Sequence, residues 1–78
     1  MERIKEGDIV LHFKGNKYEV LNTHIYWHED HSRLVMYQSL KDHKICVRPY
    51  DMFCSAVDRQ KYPDVTQKYR FEVISRPE

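Results

Sequence analysis

The sequence predicts a single, mainly β domain: a small, strongly bent sheet or SH3-like barrel of about five strands with one short helix. Three observations carry this. At 78 residues the chain can enclose one hydrophobic core and no second one. Ile9, Leu11 and Phe13 alternate with Val10 and His12, the period-two pattern of a half-buried strand. Lys14-Gly15-Asn16 then supplies turn chemistry that reverses the chain into a hairpin.

The elements follow in order. Gly7-Asp8 opens the first strand, Ile9 to Phe13. The second segment, Lys17 to Trp27, is rich in β-formers (Tyr18, Val20, Thr23, Ile25, Tyr26, Trp27), and its length predicts a bend or bulge near Asn22. His28-Glu29-Asp30-His31-Ser32 lacks helical apolar spacing and reads as a loop into a third strand, Arg33 to Leu40. Lys41-Asp42-His43 turns the chain into a fourth strand, Lys44 to Arg48. Pro49 suits the first turn of a short helix carrying Met52, Phe53 and Ala56. After a polar stretch around Pro63, Tyr69 to Ser75 forms a closing strand with Tyr69, Phe71 and Val73 on one face.

Composition narrows the function. Thirteen Lys and Arg against 12 Asp and Glu leave a net charge of +1, too weak a field to steer the whole chain onto duplex DNA or an anionic membrane. Any anion site must therefore be local. No apolar stretch reaches the roughly 20 residues a membrane span needs. The start, Met1 to Glu6, lacks the apolar centre of a signal peptide, so a cytoplasmic location is expected. Cys46 and Cys54 lie outside Cys-x-x-Cys spacing and are expected to be buried or partly buried thiols. Several strands are apolar on both faces, and burial nearly cancels ordering entropy in so short a chain, so self-association is expected.

Five blocks carry a resemblance: His12-Phe13-Lys14-Gly15-Asn16-x-Tyr18-x-Val20-Leu21, Leu34-Val35-Met36-Tyr37-Gln38, Val47-Arg48-Pro49, Met52-Phe53 and Arg70-Phe71. Together they resemble the bacterial domain-of-unknown-function family numbered 1653, whose short members also occur in phage genomes. The resemblance runs from Gly7 to about Phe71 and implies a compact β domain with no established activity. Cys46 stands where the family usually places an aromatic residue before Val-Arg-Pro. His28-Glu29-Asp30 only approximates the family's motif before the third strand, and Ser39 and Lys41 replace small and aromatic residues.

Within this frame the candidate ligand-binding residues are His12, Lys14, Tyr37, Gln38 and Arg48, polar groups within or beside strands, with Trp27 as a further stacking surface. Arg48 offers a planar donor fork for phosphate, Lys14 a point charge, Gln38 a donor and an acceptor, and Tyr37 a ring face. The inventory suits a small anionic, nucleotide-like ligand, and the family context adds the expectation of a sequestering role. The same residues also admit a structural assignment in which Arg48 pairs with Asp8, Glu19 or Asp51 while Tyr37 packs in the core. His24, His28 and His31 do not form a metal-ligand pattern, and Cys46 and Cys54 lie in no recognised nucleophile signature. The expectation is accordingly a non-enzymatic binding domain without metal or cofactor. The alternative is an SH3-like module for single-stranded nucleic acid or a protein partner, since aromatic residues interspersed with Lys and Arg can stack bases and contact phosphates.

Overall fold

The computed structural model describes residues 4–76. It contains β1 (Ile9–His12), β2 (Lys17–Tyr26), β3 (Arg33–Ser39), β4 (Ile45–Pro49), α1 (Tyr50–Phe53) and β5 (Phe71–Ser75). The strands form one antiparallel sheet in the order β4-β3-β2-β1-β5. Of the two forms expected, the open sheet is realised. β4 and β5 are its two edges, with no ladder between them among the described residues.

Local chemistry explains the elements. Gly15 adopts φ 103°, a conformation costly for any residue with a Cβ, and closes the β1–β2 turn through its N–H to the His12 carbonyl at 2.8 Å. The register of β2 against β3 shifts on both sides of Asn22, the site of the expected bulge. Each extra residue bends and twists the long strand, so one strand can serve both halves of the sheet. Pro49, at φ −54°, precedes α1, where its missing N–H costs no intrahelical bond. Cys46 is exposed rather than buried, and Cys54 is partly buried. Cys46 belongs to the edge strand β4, which pairs with no strand on its open side among the described residues.

Cross-strand partners share a face, and this divides the sheet in two. Val10 pairs with Tyr18 and Val73, His12 with Phe71, Val20 with Tyr37, Val35 with Arg48 and Tyr37 with Cys46, so these residues line the inner face. Val10, Val20, Val35, Tyr37 and Phe71 are buried there, and Ile4 and Phe53 complete the core cluster. The Phe53 ring lies parallel to that of Phe71, with centroids 4.0 Å apart. Tyr37 packs on Tyr18, Phe53 and Phe71 at 5.1, 5.2 and 5.5 Å. The outer face carries Leu34, Met36 and Gln38 of β3 against Pro49, Val47 and Ile45 of β4.

Asp8 is a buried carboxylate whose needs are met locally. Its Oδ2 accepts the Lys5 N–H at 2.9 Å, and its Oδ1 accepts the Arg76 Nε–H at 3.2 Å. That pair ties the start of the sheet to the residue after β5. It also removes Asp8 as a partner for Arg48.

Candidate anion-binding cavity

Arg48 lies on the inner face opposite Val35, where a simple core would place an apolar side chain. It sits on the edge strand β4, and its Cζ reaches to 5.6 Å from the centroid of the Phe71 ring on the opposite edge strand. This reach across the inner face brings it to the end of β1, where His12 also pairs with Phe71. Arg70, immediately before β5, and Lys14, in the β1–β2 turn, flank the same place. The wall is completed by the segment between α1 and β5, which contributes Asp58, Lys61 and Tyr62. These residues and Phe13 line a cavity of about 300 Å³.

The wall segment has no helix and only one isolated bridge, Ala56 to Tyr69. Specific hydrogen bonds hold it in place. Asp58 Oδ1 accepts the N–H groups of Gln60 and Lys61 at 3.0 and 3.4 Å, and the Asp58 carbonyl accepts that of Tyr62 at 2.8 Å. The carboxylate thus shapes the turn that presents Lys61 and Tyr62. Arg59 donates to the carbonyls of Val65 and Gln67. Gln67 Nε2 in turn donates to the carbonyls of Leu11 and Tyr69 at 2.8 and 2.9 Å, fastening the segment to β1.

The electrostatics are one-sided. Lys14, Arg48, Lys61 and Arg70 face a single carboxylate, Asp58, and none of the four forms an ion pair among the described residues. The Nε of Arg70 is buried without a hydrogen-bond partner, a costly arrangement for a guanidinium nitrogen. The His12 imidazole is held below its usual 6.5, first by burial and then by the charges of Arg48, Lys14 and Arg70. Its Nδ1 accepts the Lys14 N–H at 3.1 Å, which leaves Nε2 to carry the proton of the neutral ring. Burial raises the Tyr37 hydroxyl above 10.0, although the neighbouring Arg48 charge pulls the other way.

The other half of the cavity is aromatic. Phe13 and Tyr62 are 4.9 Å apart, and Lys14 Nζ lies 5.9 and 5.5 Å from their centroids. A larger, shallower depression of about 570 Å³ runs along β5 past Glu72, Val73 and Ile74. It gathers no comparable set of cations, so convergent chemistry singles out the smaller cavity.

Of the six residues expected to bind a ligand, three meet here: His12, Lys14 and Arg48. Tyr37 stands behind Arg48, and its ring faces are taken up by the core, so it supplies no stacking surface. Gln38 lies on the outer face, where Nε2 donates to the His43 carbonyl at 2.9 Å. Trp27 follows β2 at the hairpin tip and is 56% exposed, away from the cavity. Sequence reasoning missed Phe13, Asp58, Lys61, Tyr62 and Arg70. Phe13 and Arg70 fall within the blocks quoted for the family resemblance, whereas Asp58, Lys61 and Tyr62 lie in a polar stretch with no periodicity. Of the structural alternative, the packing of Tyr37 in the core is realised, but the pairing of Arg48 with Asp8, Glu19 or Asp51 is not: Arg48 forms no ion pair among the described residues, Asp8 is paired with Arg76, and Glu19 lies on the outer face opposite Gln38.

His24 on β2 and His28 and His31 in the following loop are not gathered into one site. His28 and His31 have ring centroids 6.5 Å apart, while His24 turns to Glu6 and Arg33. Fold and cavity together define a small antiparallel β domain with a basic, aromatic-walled pocket at one end of its inner face. The chain belongs to the family described as protein of unknown function (DUF1653), whose model matches residues 8–73. No curated protein and no solved structure matches it.

Proposed function

We propose that this domain binds a small anionic, nucleotide-like ligand in the cavity and performs no chemistry on it. The observation that carries the reading is the convergence of Lys14, Arg48, Lys61 and Arg70 on the cavity that His12 lines, with only Asp58 to balance them. Arg48 and Arg70 are half-buried without an ion pair among the described residues, which raises the free energy of the empty site, and an anion relieves it. The aromatic pair Phe13 and Tyr62 offers an apolar surface for the organic part of such a ligand.

Arg48→Ala tests the reading, because it removes a donor fork without opening an apolar cavity. Calorimetry with a nucleoside monophosphate is expected to show a loss of roughly 1.5–3 kcal/mol in binding, the range for a charge-assisted hydrogen bond. Tyr37→Phe keeps the core ring and is expected to lose less. An Arg48→Ala protein that binds as wild type would refute the site.

A second reading rests on a different place. Tyr26 and Trp27, 55% and 56% exposed at the β2–β3 hairpin, suit contact with single-stranded nucleic acid or a protein. Steep salt dependence of binding and loss on Trp27→Ala would favour it over the cavity. Self-association belongs to the main reading, supported by Ile45 and Val47, 56% and 54% exposed side by side on the outer face of an edge strand.

A further inference from the structure

The cavity presents two arginine forks rather than one, and this bears on the kind of phosphate it accepts. Arg48 comes from β4 and Arg70 from the residue before β5, so the two guanidinium groups arrive from opposite edges of the sheet. Both lie close enough to His12 to depress its protonation. With Lys14 and Lys61 against Asp58, three positive charges are left uncompensated within about 300 Å³.

We infer that the cavity selects a phosphomonoester, a terminal phosphate on a single-ring-system organic group such as a nucleoside, over a phosphodiester of the same nucleoside. The inference rests on the anion-binding reading above. A terminal phosphate has three free oxygens and a charge of about −1.5 to −2 at neutral pH. Two forks approaching from different sides can each engage two of those oxygens by sharing one. A diester has two free oxygens and one charge, so it satisfies one fork and leaves the other cations unbalanced. Arg70 sharpens the distinction, because it lines the cavity while its buried Nε has no hydrogen-bond partner among the described residues, so its guanidinium is under-satisfied in the empty site. His12, neutral and protonated on Nε2, adds a donor without adding a charge. The volume lies at the lower end of ligand pockets, which fits one nucleoside and one phosphate better than a chain of them.

Calorimetry on the wild-type protein with four probes tests this: a nucleoside 5′-monophosphate, the 3′,5′-cyclic monophosphate of the same nucleoside, the nucleoside alone and inorganic phosphate. The monophosphate is expected to bind at least about tenfold more tightly than the cyclic diester, consistent with one extra charge-assisted contact. Inorganic phosphate is expected to bind more weakly than the monophosphate, and the nucleoside more weakly still. Arg70→Lys keeps the charge and removes the fork, and is expected to shrink the preference for monoester over diester while the protein still unfolds cooperatively. A cyclic diester that binds as tightly as the monoester, or more tightly, overturns the inference and leaves anion binding intact. Failure of all the phosphorylated probes to bind overturns the anion-binding reading and the inference with it.

Discussion

His12 shows how one residue reports on the site around it. Burial and three nearby cations hold its folded-state pKa below 6.5, so as the pH falls through 6.5 the unfolded chain takes up a proton before the folded one does. Bound protons are then more numerous in the unfolded state, and stability falls as the pH drops from 6.5 toward the folded-state value. Above 6.5 this contribution is flat. Denaturant titrations at several pH values are expected to show that slope in wild type and its reduction in His12→Asn. A bound phosphate supplies the missing negative charge and is expected to raise the His12 pKa, which NMR titration of the imidazole measures directly. Tyr37 illustrates the other use of a polar residue: its ring stabilises the core while its hydroxyl stands beside Arg48, so it positions the fork from behind.

At the scale of elements, the segment between α1 and β5 carries half of the cavity wall without regular structure. Its order depends on side chains that satisfy carbonyls which a helix or strand would have satisfied itself. Gln67 is the clearest case, since one amide nitrogen bridges to β1 and to Tyr69, two residues before β5. Gln67→Ala is expected to lower stability by about 1–2 kcal/mol, from two hydrogen bonds of ordinary strength. It is also expected to weaken ligand binding, because Lys61 and Tyr62 lose their fixed position. Thermal unfolding and calorimetry on the same variant separate the two effects. α1, though only four residues long, covers the core by placing Phe53 flat on Phe71. Phe53→Ala is expected to cost about 3–5 kcal/mol, a large part of the stability of so small a domain. Its urea midpoint is the measurement.

At the scale of the whole molecule, the described residues form a single bent sheet whose outer face has no second layer among them. The side chains of Ile45, Val47 and Met36 lie together there, and the edge backbone of β4 is open. Sedimentation equilibrium at micromolar concentration is expected to show a dimer. Val47→Lys is expected to shift it toward monomer without loss of fold, because the side chain is already exposed. A wild-type protein that stays monomeric throughout that range would remove self-association from the proposal.

Local signals made most of the sheet legible. The alternation in β1, the Gly15 turn, the bulge at Asn22, the proline before α1 and the closing β5 all depend on short-range sterics and period-two burial, which a sequence displays directly. Membership of the candidate site was legible where a polar residue interrupted such a pattern, as His12 and Arg48 do, or stood in the turn beside it, as Lys14 does. The face on which Gln38 lies, and the distance of Trp27 from the cavity, depend on strand register and the bend of β2. Arg48 and Arg70 are brought together by the curvature of a sheet whose two edges they approach, and the segment that carries Asp58, Lys61 and Tyr62 is fastened to β1 by Gln67, which donates to the Leu11 carbonyl far back along the chain. The sequence alone determined the strands, their order of appearance and the local polar breaks in them. Only the tertiary structure decided which charges meet, because convergence is set by long-range pairing and by burial, neither of which has a period that the chain displays.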